Sequence, residues 1–440
     1  MRTLLFSGFA GLAVSAGALA AGPDVTLRES SSVQNYGQVG GIYAYAIGSN
    51  TCNIGNTNLL WTNNGTPGLA MNAYRIYDGR MSQIGMSWVK TACCAAAGSG
   101  CGTCNGSGGS VLGAGCLDVY SAGWNGGQTR LGPRSSINGY TGAFSSFTTG
   151  TSNVIQRRLQ ILADDMNLTR FVGARFVIEG LYAATDDHAA GNWMNNCSYK
   201  LANIAPTTYN ITYTGAMNEG RPAIYAWRDH GLGTNTPDPS VNVQIVDVPG
   251  EGRFYVASKV ITVRPNLEYR YEYAIFNQTS DRSGGSLSIP APATAVISDR
   301  GFMAPLYHSG EPYSNAVWTS ARNATSVDFA SPQTHAQNAN SNALRWGTMY
   351  NFYFKATTRP VNRDATLGLF KPGTPSGVTF SVPTPAAPAD FNLNGECDFF
   401  DYLDFVAAFS TSSSTADFNG DNQIDFFDYL DYVQAFANGC

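Results

Sequence analysis

Residues 389–409 and 416–436 are two copies of one segment, offset by 27 and identical at 14 of 21 positions. A unit used twice forces the end of this chain to fold as a pair. Each copy opens with oxygen-bearing side chains at positions 1, 3, 5, 9 and 12. In the first copy these are Asp390, Asn392, Asn394, Asp398 and Asp401, and in the second Asp417, Asn419, Asp421, Asp425 and Asp428. Position 7, Glu396 or Gln423, can add its backbone carbonyl. This spacing wraps six or seven hard oxygen donors around a Ca2+, with position 9 often reached through a water. Position 6 must be left-handed, which Gly395 takes freely and Asn422 takes as the usual second choice. Each loop runs into an amphipathic helix, with Phe399, Leu403 and Val406, or Phe426, Leu430 and Val433, on its apolar face. No helical pattern precedes either loop, so these are loop–helix units and not complete EF-hands. Two Ca2+ ions are expected, and the other reading is a pair of solvated acidic turns.

The remaining 388 residues constrain less. The chain of 440 residues is 43% apolar and 12% aromatic, enough for a sizeable core, but only 13% charged. That is about half the usual share of roughly 25%. Net charge is −5, only five of the 26 basic residues are Lys, and no basic stripe exists, which argues against a nucleic-acid partner. Residues 1–21 read as a secretory signal: Arg2, an apolar run over 4–19, and the small-x-small site Ala18-Leu19-Ala20. No other stretch approaches 18 apolar residues, so no transmembrane anchor is expected after cleavage.

Nine cysteines in an exported chain are expected to form disulfides. Cys397 and Cys440 can close on each other, which would contribute about 3–4 kcal/mol in the chain-entropy model; an intermolecular crosslink through Cys440 is the alternative. Seven remain in the body, so one thiol is free, intermolecular or buried. Cys101-Gly-Thr-Cys104 lacks a second ligand pair for zinc and a thioredoxin-like setting, and reads as structural.

The body, residues 22–380, is expected to be a β-sandwich with a Cys-rich irregular insertion and one helix. Ile42–Ile47 reads as a strand, residues 66–130 as irregular with a short helix over 81–93, and 153–167 as the best helix. In that last segment Ile155, Leu159, Leu162 and Met166 share a face, opposite a solvated Arg157 and Arg158. Further on the period is two. Val241, Val243 and Ile245 lead through a turn at 248–252 into a returning strand over 253–263. Tyr269, Tyr271, Tyr273 and Ile275 alternate with Glu268, Arg270 and Glu272, one buried face and one wet. Short strands follow near Leu287 and Ile289, over 295–297 and over 349–354. The Pro-rich residues 381–388 read as a linker, leaving 389–440 as a separate small α domain.

The duplicated loop–helix units, with Asp at position 12 and at the end of an exported chain, resemble a type I dockerin. The terminal Asn438-Gly439-Cys440 is similar to the GC-type dockerin tails of secreted bacterial proteins. That resemblance implies a tail that binds a cohesin on a scaffold or cell surface and tethers what precedes it. Members that dock to cellulosomal cohesins often carry Ser/Thr at positions 10 and 11. Here those positions are Phe399-Phe400 and Phe426-Phe427, which leaves self-association or another surface partner open. The body resembles exported, dockerin-anchored bacterial proteins of unknown function. It does so through residues 78–88, Leu131-Gly-Pro-Arg134, residues 280–286, His308-Ser-Gly-Glu-Pro312 and Asn342-Ala-Leu-Arg-Trp-Gly347. This implies a shared fold and no activity.

Catalytic motifs do not emerge from the body. There is no Gly-x-Ser-x-Gly elbow, Ser283 and Ser286 lack a placeable base, and His188, His230, His308 and His335 are scattered. Asp186-Asp187-His188 reads as a polar loop before a metal site. Glycoside hydrolysis needs two neighbouring carboxylates. Glu179, Glu219, Glu268, Glu272 and Glu311 are the possible members, with Glu268 and Glu272 read as a solvated face. The leading expectation is a non-catalytic extracellular or cell-surface protein anchored by its calcium-binding tail. A dockerin-borne glycoside hydrolase and a carbohydrate-binding module, both with polysaccharide as partner, are the alternatives.

Overall fold

The computed structural model describes residues 21–61, 66–95, 98–106, 108–144 and 153–440. Apart from residue 21, the expected signal segment lies outside them. The protein is mainly β, with four antiparallel sheets and a two-stranded ribbon among the described residues. The first sheet orders Val25–Glu29, Ser49–Asn53, Cys116–Tyr120 and Gly98–Ser99. The second runs Ile211–Asn218, Cys197–Ile204, Arg175–Ala183, Gly68–Tyr77, Arg80–Thr91, Leu159–Leu162, Ile42–Ile47 and Val33–Val39, with Leu131–Gly132 added to Arg80–Thr91. The third orders Asn242–Val248, Gly252–Arg264, Glu268–Asn277, Thr348–Ala356 and Ile297–Met303. The fourth orders Thr319–Arg322, Ser326–Ala330, Gly284–Pro290, Pro360–Leu369 and Gly377–Pro385. The helices are α1 (Ala122–Gly127), α2 (Thr185–Ala190), α3 (Tyr225–Asp229), α4 (Phe399–Ser410) and α5 (Phe426–Asn438).

Three hydrophobic clusters join these sheets. Val25, Leu27 and Tyr120 of the first sheet share one with Tyr45, Leu69, Met71 and Ile178 of the second. Tyr74, Val177 and Leu181 on the second sheet share another with Tyr255, Ala274, Phe276 and Met349 of the third and with Trp227 of α3. Phe254, Tyr273 and Phe352 share the last with Leu287, Phe329, Leu367 and Val382 of the fourth sheet. The inner strands are therefore covered on both faces, and this is what overturns three sequence readings.

The helix expected over 81–93 is the strand Arg80–Thr91, buried at every residue after Arg80. Burial on both faces erases the period of two by which a strand is recognised. The helix expected over 153–167 is the strand Leu159–Leu162, paired between Ile42–Ile47 and Arg80–Thr91, followed by a 3-10 turn at Ala163–Met166. Arg157 takes a positive φ of 70° and interrupts any helix there. Its neighbour Arg158 is buried, donating from Nε to Gly126 O at 2.9 Å and stacking on Tyr36. The wet face expected on Glu268–Asn277 is also absent at Glu272, which is wholly buried and held by Arg80 through two 2.7 Å bonds. Burial pushes its carboxyl up, and Arg80 and Arg270 pull it back. Asp186-Asp187-His188 lies in α2 and not in a loop. The 295–297 strand begins at Ile297 and runs to Met303.

The other expected strands stand. Asn242–Val248 and Gly252–Arg264 pair across the predicted turn, and Thr348–Ala356 covers the 349–354 segment. Residues 78–88, 131–134, 308–312 and 342–347, far apart in sequence, converge. The Glu311 carboxylate accepts from the Arg134 and Ser135 N–H groups, Trp346 Nε1 donates to Arg134 O, and Trp88 Nε1 donates to Ser309 O. The Arg134 side chain spans Ser87 O, Met71 O and Gly347 O from inside the protein. Burial lowers its pKa to about 10, against the pull of Glu311, Tyr74 and Glu179.

The linker expected over 381–388 is not a free segment. Gly377–Pro385 is a strand paired along its length with Pro360–Leu369. Ala386, Ala387 and Ala389 are buried, and Ala386 N donates to Arg359 O. Proline fits here because the strand lies at the sheet edge, where one row of N–H groups has no strand to reach.

Candidate metal centre

The two loops of the repeat fold alike. Asp398 and Asp425 are the N-caps of α4 and α5, accepting from Phe400 N and Phe427 N at 2.8 Å. Asp401 and Asp428 complete a capping box by accepting from the N-cap N–H at 2.9 Å. Their other oxygens reach back to Asn392 N and Asn419 N, both at 3.0 Å, which draws position 12 against the loop start. Asn392 and Asn394, and Asn419 and Asp421, accept from N–H groups two residues on, curling each loop around its own side chains. Gly395 and Asn422 take φ of 92° and 66°, the left-handed turn read from the sequence. Glu396 and Gln423 point to solvent, leaving their carbonyls as the available donors.

Position 1 carries the strongest signal. Asp390 Oδ2 accepts from Gly395 N at 3.0 Å and Asp417 Oδ2 from Asn422 N at 3.1 Å. The second oxygen of each, Asp390 Oδ1 and Asp417 Oδ1, is buried without a partner. An unpaired buried carboxylate oxygen is costly, and here the cost recurs at the same position of both copies. A hard cation is the group such an oxygen takes, so the residues present fit Ca2+. Burial pushes the Asp390 carboxyl up; the Gly395 N–H and Arg363 pull it down and Asp401 pushes it further up. Among the described residues no three His, Cys, Asp or Glu side chains form a compact metal group. Each loop instead mixes carboxylates with amide and carbonyl oxygens, the donor set of calcium.

The helices pack through a small core of Phe391, Phe405, Ala416 and Tyr432, with Phe405 and Tyr432 stacked at 4.0 Å between centroids. Tyr402 and Tyr429, equivalent across the repeat, meet hydroxyl to hydroxyl at 3.0 Å. Cys397 and Cys440 form a disulfide that ties loop one to the chain end. Phe399, Phe400, Phe426 and Phe427 stay outside this core at 62–65% exposure, a large apolar surface for so small a unit.

Four body residues that the sequence did not single out hold the loops. Arg359 Nη2 donates to Phe391 O at 2.8 Å and Arg363 Nη2 to Gly395 O at 3.1 Å. Asn266 Nδ2 donates to Ser414 O and Asp417 O. Leu267 packs on Gly420, where a Cβ would lie 2.3 Å from its Cγ. Nothing local marks these residues, because they lie between 32 and 153 positions from what they touch.

The body's carboxylate candidates are each engaged. Glu179, wholly buried, accepts from Asn72, Tyr74 and Ala223 N. Glu219 faces Arg28, and Glu268 faces Arg264 and Lys355. A cleft of about 440 Å³ holds Asp78, Asp165 and Asp299, each paired with a cation, respectively Arg270, Arg75 and Lys355. Asp187 accepts from Val25 N and Asn196 Nδ2. Ser283 Oγ donates to Asp281 O. The cysteines pair as Cys52–Cys101, Cys93–Cys94 and Cys104–Cys116, with Cys197 buried and free. Among the described residues no helix is long and apolar enough to cross a membrane. Neither a protein-family model nor a curated protein sequence matches the chain.

Proposed function

We propose that this is a secreted extracellular or cell-surface protein whose residues 389–440 form a dockerin-like, calcium-loaded anchor, and whose β-rich body is displayed without catalysing a reaction. The observation that carries the reading is the pair of buried, unpartnered oxygens Asp390 Oδ1 and Asp417 Oδ1. Calcium would be held by Asp390, Asn392, Asn394, Asp398 and Asp401 with the Glu396 carbonyl, and by Asp417, Asn419, Asp421, Asp425 and Asp428 with the Gln423 carbonyl. It would supply the positive charge that lets these carboxylates share one tight turn. The four disulfides fit an oxidising compartment. The third and fourth sheets, sharing one apolar cluster, read as the sandwich half of the body.

The partner is a cohesin-like or other surface protein that accepts an apolar corner. Phe399-Phe400 and Phe426-Phe427 each stand at the start of a helix, beside a loop that calcium would stiffen, and offer it. The test is capture of envelope proteins by the mature full-length chain in Ca2+ and in EDTA, alongside a chain with all four phenylalanines changed to serine. Capture that needs both calcium and the phenylalanines supports the reading. Capture indifferent to both, or failure of the chain to take up calcium, removes it.

A further inference from the structure

We infer that the two calcium sites are unequal and that the body widens the difference: loop two is the tight site, loop one the weak one, and Arg359 and Arg363 set much of the gap. This rests on the calcium reading above and adds the order in which the sites fill.

Three independent features point the same way. At positions 1, 3, 5, 9 and 12 loop two carries four carboxylates, Asp417, Asp421, Asp425 and Asp428. Loop one carries three, Asp390, Asp398 and Asp401, with Asn394 at position 5. Ligand charge count is one of the ways such loops tune affinity.

The second feature is the body's charge. Arg359 and Arg363 donate to the carbonyls of positions 2 and 6 of loop one. Arg359 also lines, with Asp390, a cavity of about 200 Å³ between body and tail. Two guanidinium groups at this loop offset its carboxylates and oppose an incoming dication. Among the described residues no Arg or Lys hydrogen-bonds to loop two, whose polar contact with the body is the neutral Asn266 amide.

The third feature is the backbone. Position 4 is left-handed in both loops, with φ of 63° at Leu393 and 72° at Gly420. Glycine takes that conformation freely and leucine does not. Leu393 adopts it beside Val260, Pro360, Val361 and Pro383 of the body, while Gly420 is the seat of Leu267. Loop one thus carries in its own backbone a strain that glycine spares loop two.

The experiment is calorimetric titration of the mature full-length chain with Ca2+ from the metal-free state. Two sites differing by about tenfold or more are expected. Asp428→Ala should remove the tight one and Asp401→Ala the weak one. Arg359→Gln with Arg363→Gln should raise the affinity of the weak site by about fivefold and leave the tight site unchanged. The glutamine variants keep every ligand in place, so they report even where a loop knockout fails to fold. Equal sites, or a weak site unmoved by the glutamines, overturn the inference while leaving the calcium reading intact. No calcium uptake at all removes both.

Discussion

The body and the tail reach stability by opposite routes. The body stacks sheets until strands such as Arg80–Thr91 and Glu268–Asn277 meet apolar neighbours on both faces, and even its charges are taken inside and paired. The tail has a cluster of only four buried apolar side chains, a disulfide and two loops whose carboxylates crowd without cations of their own. Burial scales with size, so a unit of about 50 residues cannot follow the first route and leans on crosslinks and ions. On the proposed reading, one chain carries a calcium-indifferent part and a calcium-dependent part in direct contact.

The largest expected effect tests the body side of this contrast. Trp227→Ala empties a wholly buried site between the second and third sheets and should cost about 3–5 kcal/mol in denaturant unfolding. Tight calcium binding should persist in the native variant; if it vanishes, the two parts are one cooperative unit and the contrast fails. Next, Cys397→Ser with Cys440→Ser should cost the tail about 2–4 kcal/mol. Hydrogen exchange should quicken in α4 and α5 and stay unchanged in the Gly68–Tyr77 strand. Protection lost evenly across the chain would break the comparison.

A smaller effect sharpens it by locating a pH dependence in the body. Burial raises Asp187 to about 7, well above the ordinary carboxylate value. Between roughly pH 4 and pH 7 the folded chain keeps a proton that the unfolded chain has lost, so this group's contribution falls as pH rises through that window. Asp187→Asn removes the loss, and Asn196 can turn its unpartnered Oδ1 toward the new amide. The variant should therefore be more stable than the parent by on the order of 1–3 kcal/mol at pH 8 and no different below pH 4, read from melting curves across pH. Smallest of all, changing the four exposed phenylalanines to serine should move stability by less than about 0.5 kcal/mol. Partner capture should nonetheless be lost. A large stability change would show that the corners belong to the tail's core.

What the sequence made legible follows the same divide. The turn at position 6 of each loop and the helix that follows were readable, because the bonds that shape them span ten residues or fewer and the repeat states them twice. Wet-edged hairpins such as Asn242–Val248 with Gly252–Arg264 were readable for a similar reason. Hidden were the places where distant chain covers both faces of a strand. Residues 81–93 and 153–167 kept an apolar pattern that suits a helix, and only their neighbours in the sheet decided otherwise. Glu272 looked solvated because Arg80 lies 192 residues away. Arg359 and Asn266 were silent for the same cause.

The join at Pro385 has a mechanical meaning. An eight-residue proline-rich spacer would give an anchored protein up to about 25 Å of reach and freedom to turn. Here the last strand runs into the tail through buried alanines, with no slack. If the tail is gripped, its holder sets the height and the heading of the whole molecule. A tug on the anchor is delivered straight to the Gly377–Pro385 strand, whose ladder to Pro360–Leu369 then carries the load.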